Sequence, residues 1–196
     1  MLGVYLCAPH AASKRGVSMN RTDAEIGKYV FCGRLEEEKG IPFLIDVWKR
    51  ARPGKLLIFG DGSLRNDVER CANRESVVYR GFQPYAVMER ETADAEALIF
   101  PSQWYEGYPM SIIESFSRGV PVLASDIGNQ GRIIRDGING YKFRVNDRVS
   151  FLSALDKVRT AGAKLRQTTR AFYAEHLTGA KSYAQTLQIY DAIRGS

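Results

Sequence analysis

The chain has 196 residues, a formal net charge of +6 and 44% hydrophobic residues, a composition that indicates one soluble globular domain with one sizeable core. No apolar run approaches the roughly 18 residues that a membrane-spanning helix needs, so we expect a cytoplasmic protein. The 28 basic against 22 acidic residues suit an anionic ligand, or peripheral contact of the full-length protein with the inner face of an anionic membrane.

Nucleic-acid binding and metal binding are both disfavoured by the residue pattern. The basic residues are scattered and are not interleaved with aromatic residues. Cys7, Cys32 and Cys71 are far apart, no C-x-x-C occurs, and neither His10 nor His176 has a second ligand nearby in sequence. The cysteines are therefore predicted to be reduced and structural, and no metal site is predicted.

Short apolar runs alternate with helix-like stretches from residue 29 onward. The predicted strands are Tyr29–Cys32, Leu56–Phe59, Val77–Tyr79, Ala97–Phe100, Val120–Ala124 and Tyr141–Phe143. The predicted helices are Phe43–Arg50, Leu64–Ala72 with Ser63 as N-cap, Tyr85–Thr92, Ser111–Arg118, Ile127–Arg135 and Val149–Arg159, followed by a helical tail to Ile193. This alternation predicts an α/β fold: a single Rossmann-like, doubly wound parallel sheet of about six strands with helices on both faces.

Two basic residues follow the first predicted strand. Arg34 comes directly after Gly33, and Lys39 lies five residues further on, at the entrance of the next helix. A planar guanidinium and a mobile ammonium at such a turn suit a diphosphate. The alternative is a solvated charged turn, because three glutamates, 36–38, separate the two basic residues.

Glycines follow the second and third predicted strands. Gly60 and Gly62 form a G-D-G turn, where glycine lets the backbone approach a ligand or simply lets the chain turn sharply. The dinucleotide fingerprint also needs a third glycine and an early acidic residue; both are absent, so NAD is disfavoured. Gly81 would leave room for a flat base against the backbone.

Two glutamates, Glu106 and Glu114, lie eight positions apart after the fourth predicted strand. Ligands of open α/β sheets bind at this end of a strand, and a helix N-terminus there suits a phosphate. One alternative is that Ser111 and Glu114 form a capping box that merely starts the helix. Another is the acid/base pair of a glycosidase, although one carboxylate on a loop and one a turn into a helix suit the binding of hydroxyls better.

Five segments together resemble the C-terminal, donor-binding domain of family 4 retaining glycosyltransferases, which have the GT-B fold. They are GRLEEEKG, IFGDGSLR, VVYRGF, ALIFPSQWYEGYPMSIIE and RGVPVLASDIGNQGRIIRDGINGYKF. The resemblance covers Tyr29 to Phe143. The combination is highly specific, whereas any single segment is not, and it implies that the sheet is the C-terminal half of a GT-B fold.

The resemblance implies a role for each matching position. Arg34 and Lys39 match the basic pair that holds the donor diphosphate and stabilises the departing nucleotide. Glu106 and Glu114 match the E-x7-E motif, the first near the donor sugar and its reaction centre, the second accepting hydrogen bonds from the ribose. Arg34, Lys39 and Glu106 are thus the expected catalytic residues. The further donor-binding residues that it implies are Gly33, Gly60, Gly62, Arg80, Gly81, Phe82, Gly107, Tyr108 and Met110.

The implied reaction transfers a sugar from a UDP- or GDP-linked nucleotide diphosphate sugar, with retention of configuration and without a cofactor, in surface polysaccharide or glycolipid assembly. One alternative is a non-catalytic nucleotide-sugar-binding subunit that needs a separate acceptor-binding chain. Another is a sugar epimerase or a phosphorylase on the same architecture; the phosphorylase would carry a lysine-bound pyridoxal phosphate.

Complete members of this family have an acceptor-binding domain ahead of the donor-binding one. We expect 1–26 to be a linker or a remnant of that side, so His10 is not assigned a catalytic role. The predicted nucleotide-sugar-binding domain is 27–178. Residues 179–196 resemble the closing helix that crosses back towards the N-terminal domain. Its stripe of Tyr183, Leu187 and Tyr190 is equally typical of a helix that packs on a core.

Overall fold

The computed structural model of the protein describes residues 27–73, 75–181 and 183. The predicted linker, 1–26, and most of the predicted closing helix, including Leu187 and Tyr190, lie outside the described residues. Tyr183 is described, and its side chain is exposed. No helix in this part of the chain is both long and apolar enough to cross a membrane.

Six strands form one all-parallel sheet in the described residues, in the order β3-β2-β1-β4-β5-β6. The strands are β1 (Lys28–Cys32), β2 (Lys55–Phe59), β3 (Val77–Gly81), β4 (Ala97–Phe100), β5 (Val122–Ser125) and β6 (Gly140–Phe143). The helices are α1 (Ile41–Ala51), α2 (Arg65–Cys71), α3 (Tyr85–Thr92), α4 (Met110–Ser117), α5 (Gly128–Ile133) and α6 (Arg148–His176), and a 3-10 helix of Glu37–Lys39 precedes α1. The predicted α/β fold is confirmed.

Helices cover both faces of the sheet, because successive side chains of each strand point to opposite faces. On β1, Tyr29 and Phe31 belong to the core beneath α1, whereas Val30 belongs to the core beneath α4. A strand that is buried on both faces has to be apolar throughout. The run Ala-Leu-Ile-Phe of β4, in which all four residues are buried, shows this pattern.

The last helix, α6, contributes to both cores. Phe151 packs in the core beneath α1, and Phe172 packs in the core beneath α4. The helix is kinked at Gly162, whose φ of 50° and ψ of −134° are not helical. The predicted helix Val149–Arg159 is therefore the first part of a longer, bent element.

The predicted Ser63 cap is wrong, and the alternative of a capping box at Ser111 is excluded. Leu64 is the N-cap of α2 and no side chain caps that helix; the Ser63 hydroxyl donates to Glu36 instead. Helix α4 begins at Met110, directly after Pro109, so Ser111 lies inside the helix and does not cap it. Proline has no N–H that needs a partner, and this favours its position at the start of a helix.

The strand order reverses at β1, which lies between β2 and β4. In an open parallel sheet the connections on either side of such a reversal diverge, and a crevice forms outside the carboxyl ends of the two strands. The segment after β1 and the segment after β4 therefore meet at this crevice. These segments carry Arg34, Lys39 and Glu106.

Candidate functional site

A cavity of about 190 Å³ lies at the carboxyl ends of β1 and β4. The predicted site residues that line it are Gly33, Arg34, Lys39, Glu106, Tyr108 and Met110, and its other lining residues are Phe31, Cys32, Phe100, Pro101, Ser102, Pro109 and Ser111. Larger depressions of about 620, 480 and 490 Å³ lie elsewhere on the surface. None of these three is lined by a predicted site residue.

Lys39 and Glu106, 67 positions apart in sequence, form an ion pair in this cavity. The Lys39 Nζ lies 2.5 Å from the Glu106 Oε1, and the two side chains are 18% and 16% exposed. The Ser102 hydroxyl donates a second hydrogen bond, of 2.7 Å, to the same carboxylate oxygen. The Lys39 ammonium and the Glu106 carboxylate thus both line this small cavity, and both side chains are mostly buried.

A glycine lets the loop after β1 pack closely against the loop after β4. Gly40, the residue after Lys39, has a φ of 76°, and a Cβ built on it would lie 2.1 Å from the carbonyl oxygen of Pro101. The Gln103 N–H also donates to the Glu38 carbonyl at 2.8 Å. Only a residue without a side chain allows this close approach, which brings Lys39 to Glu106.

Arg34 is held much more loosely than Lys39. Its side chain is 67% exposed, and its guanidinium lies 3.3 Å from the Glu38 carboxylate, four positions along the chain. An exposed pair of this kind contributes little to stability. Arg34 therefore lines the cavity with a guanidinium that can turn towards a ligand.

The start of α4 closes the other side of the cavity. Met110 and Ser111 occupy the first turn of the helix and line the cavity. Backbone N–H groups in the first turn have no acceptor within the helix, and the helix dipole makes this end positive. The cavity is thus bordered by an ammonium, a guanidinium and a helix N-terminus, three features that favour a phosphate group.

Glu114 lies one turn further along α4 and is half-buried. Burial raises the pKa of its carboxyl group, and the nearby Arg118 partly opposes this increase. Burial raises the pKa of the neighbouring Cys32 thiol to about 12. The charge of Arg118 lowers this pKa and the charge of Glu114 raises it. Cys32 lines the cavity, whereas Glu114 is not among its lining residues.

The predicted glycines after β1, β2 and β3 lie side by side. A Cβ on Gly60 would lie 1.8 Å from the Gly33 carbonyl oxygen, and the Gly60 N–H donates to Gly81 at 3.0 Å. A Cβ on Gly62 would lie 2.6 Å from the Leu35 carbonyl oxygen. These glycines therefore let the strand-end loops pack backbone against backbone.

Arg80, Gly81 and Phe82 lie outside the cavity, at the end of β3, which is separated from β1 by β2. The Arg80 guanidinium forms a 2.9 Å ion pair with Glu91. The Phe82 side chain is 82% exposed. A ligand that reached both the cavity and Phe82 would extend along the carboxyl ends of the strands.

Sequence reasoning missed several residues that fix the site. Ser102 bonds to Glu106, and Asn129 and Gln130 hold the backbone of the Glu106 loop from α5. Serine after a strand and amides in a short Gly-Asn-Gln-Gly segment are common in turns, so no periodic signal marked them. Among the described residues, no group of three or more His, Cys, Asp and Glu side chains could hold a metal ion.

The family model described as glycosyl transferases group 1 matches residues 27–160. The chain belongs to this family. It is 29% identical over 148 residues to lipopolysaccharide 1,6-galactosyltransferase from Escherichia coli K12, a match that covers 69% of the chain and 40% of that relative. The chain thus spans less than half of the length of this glycosyltransferase.

Solved structures share the fold. HepE from Anabaena, solved in complex with UDP, matches with a TM-score of 0.73 and 17% identity over 87% of the chain and 50% of HepE. Sucrose-phosphate synthase from Thermosynechococcus elongatus matches with a TM-score of 0.74 and 20% identity over 88% of the chain and 46% of the synthase. The glycosyltransferase group 1 chain therefore has the Rossmann-like sheet that occurs in GT-B glycosyltransferases.

Proposed function

We propose that this chain is the donor-binding domain of a family 4 retaining glycosyltransferase, and that it binds a UDP- or GDP-linked sugar in surface polysaccharide or glycolipid assembly. The observation that carries the proposal is the meeting of Lys39, Glu106 and the first turn of α4 at one cavity. Lys39 and the first turn of α4 suit the phosphate groups of a nucleotide sugar, and the Glu106 carboxylate suits its sugar hydroxyls. The UDP in HepE, whose fold is similar, supports a uridine nucleotide.

In this mechanism Lys39 and Arg34 hold the diphosphate together with the N–H groups at the start of α4. As the bond between the anomeric carbon and the phosphate oxygen breaks, these groups stabilise the negative charge on the leaving nucleotide. Glu106 orients the sugar and stabilises the positive charge that develops on it. The acceptor oxygen attacks from the same face, and its proton passes to the leaving phosphate, so the products are a nucleoside diphosphate and a glycoside of unchanged configuration.

Glu114 would accept hydrogen bonds from the ribose hydroxyls. Among the described residues, none donates a hydrogen bond to its half-buried carboxylate. A ribose hydroxyl would supply such a donor. The base would lie further along the strand ends, towards Gly81 and Phe82. This direction agrees with the order of the strands from β1 to β3.

The proposal is tested by calorimetric titration of the chain with UDP and with GDP, and of its Lys39→Ala variant. One charge-assisted bond to phosphate contributes about 1.5–3 kcal/mol, so Lys39→Ala should weaken binding roughly 10- to 100-fold. Lys55→Ala is the matched control, since exposed Lys55 lies at the amino end of β2, whereas the cavity lies at the carboxyl ends of the strands. Equal affinities of the two variants, or no binding of either nucleotide by the unaltered chain, would refute the proposal.

A second candidate function is a nucleotide-sugar-binding subunit that is inactive without an acceptor-binding chain. It rests on the same cavity, whose groups suit a nucleotide sugar. Positioning of the acceptor supplies a large part of catalysis in any transfer. Release of UDP or GDP from a nucleotide sugar in the presence of acceptors separates the candidates, because turnover by this chain alone would exclude the subunit.

A further inference from the structure

The loop that carries Glu106 is not held in place by a hydrophobic core. Trp104, Tyr105 and Tyr108, the large side chains that flank Glu106, are all exposed. Exposed aromatic rings do not anchor a loop to the domain. The position of Glu106 therefore depends on polar contacts, and four of these come from the first turn of α5.

Gln130 is fully buried and bonds to the loop with both ends of its side-chain amide. Its Nε2 donates to the Trp104 carbonyl at 2.8 Å. Its Oε1 accepts from the Glu106 N–H at 3.4 Å. A buried amide that uses its donor and its acceptor on one segment fixes the distance and the direction of that segment.

Asn129, the residue before Gln130, also bonds to the Glu106 loop. Its Nδ2 donates to the Glu106 carbonyl at 3.0 Å and to the Gly107 carbonyl at 2.7 Å. Gly128 brings α5 close to the loop, since a Cβ on it would lie 3.0 Å from the Tyr105 ring and its φ is 56°. Two adjacent amides thus bond the backbone on both sides of the Glu106 side chain.

We propose that Asn129 and Gln130 are positioning residues that hold the Glu106 loop in the conformation that receives the donor sugar. This inference rests on the proposed function, because it assigns the loop to the sugar. Both amides act through the loop backbone, whereas Lys39 and Ser102 act on the Glu106 carboxylate itself. Their loss should reduce recognition of the sugar and leave recognition of the nucleotide diphosphate largely intact.

The first test measures backbone hydrogen exchange in peptides that cover residues 102–109. Asn129→Asp places a carboxylate opposite two carbonyl oxygens, so exchange in this segment should accelerate about tenfold, the factor that accompanies a loss of ~1.4 kcal/mol. Asn129 is exposed, so its replacement should not unfold the domain. Asn66→Asp is the matched control, because exposed Asn66 occupies the same position, the second, of helix α2. Unchanged exchange in Asn129→Asp would overturn the inference.

The second test compares the affinities for UDP and for UDP-glucose or UDP-galactose, with GDP and GDP-mannose in parallel. The quantity compared is the affinity for the nucleotide sugar divided by the affinity for the nucleotide. In Asn129→Asp this ratio should be at least threefold lower than in Asn66→Asp. The affinity for the nucleotide alone should be equal in the two variants. Gln130→Glu keeps the acceptor but loses the donor, and it should show the same split. An equal loss for nucleotide and nucleotide sugar would mean a general structural defect and would overturn positioning.

The two tests separate this inference from the proposed function. If the unaltered chain binds no nucleotide, the proposed function fails, and the positioning of a donor sugar fails with it, whatever the exchange rates show. If nucleotide binds and Lys39→Ala weakens binding relative to Lys55→Ala, the proposed function stands. The sugar comparison then decides on Asn129 and Gln130 alone.

Discussion

At the scale of single residues, the ion pair between Lys39 and Glu106 has a consequence for ligand binding. The pair is mostly buried, and the Lys39 ammonium is the cation best placed for a phosphate. A diphosphate therefore has to compete with the Glu106 carboxylate for the same ammonium group. In the free protein the carboxylate neutralises a site that would otherwise attract any anion.

Glu106→Gln should consequently strengthen the binding of UDP, or of GDP if that is the base. The amide keeps the size of the side chain but removes the competing charge. An increase in affinity of about fivefold is expected, since an ion pair that is not fully buried is worth roughly 1 kcal/mol. The same variant should gain nothing further from an attached sugar. Isothermal titration with the nucleotide and with the nucleotide sugar measures both effects.

Glu37→Gln is the control for the change of net charge. Glu37 is exposed and lies in the 3-10 helix that carries Lys39. Equal gains in UDP affinity for the two variants would attribute the effect to overall charge. A lower affinity of Glu106→Gln would show that Glu106 does not compete with the diphosphate.

At the scale of elements, the strands and helices were predictable and the contacts between their ends were not. The apolar run of β4 and the periodic pattern of α1 are local signals. The start of α4 is also local, but Ser111 was a misleading signal because the N-cap is Pro109, two residues earlier. The approach of Gly40 to Pro101 joins two segments that are 61 positions apart, and no spacing within either segment indicates it.

Gly40→Ala tests how much the site depends on that approach. A Cβ at this φ costs about 1–2 kcal/mol, and the overlap with the Pro101 carbonyl adds to it, so the free energy of unfolding should fall by roughly 2 kcal/mol or more. Nucleotide affinity should fall as well, because Lys39 moves with Gly40. Urea unfolding and titration with UDP measure the two losses.

Gly179→Ala is the matched control, since a Cβ on Gly179 would meet nothing within 4 Å. It should show no loss of stability. If Gly40→Ala is as stable as this control, the two loops adjust to each other and the close approach is not a constraint.

At the scale of the whole molecule, the partial burial of Glu114 makes the free energy of unfolding depend on pH. Burial raises the pKa of Glu114, so its ionised form is less stable in the folded chain than in the unfolded chain. Below the unfolded pKa the group is neutral in both states and no cost arises. As the pH rises through the folded pKa, stability is lost.

Glu114→Gln should therefore stabilise the chain at pH 7 and not below about pH 4, near the pKa of an unfolded glutamate. The gain should stay under about 1 kcal/mol, because solvent screens a half-exposed carboxylate. Urea unfolding at several pH values measures it, with Glu89→Gln on the exposed face of α3 as control. A gain that grows towards low pH would contradict the assignment.

Local patterns were enough to predict the alternation of strands and helices, the basic pair after β1 and the two glutamates after β4. The ion pair of Lys39 with Glu106, the exposure of Arg34 and the contacts of α5 with the Glu106 loop became visible only in the folded chain. The physical reason is the strand order. Reversal of the order at β1 brings the ends of two distant strands together, and the contacts across that crevice are set by packing in three dimensions.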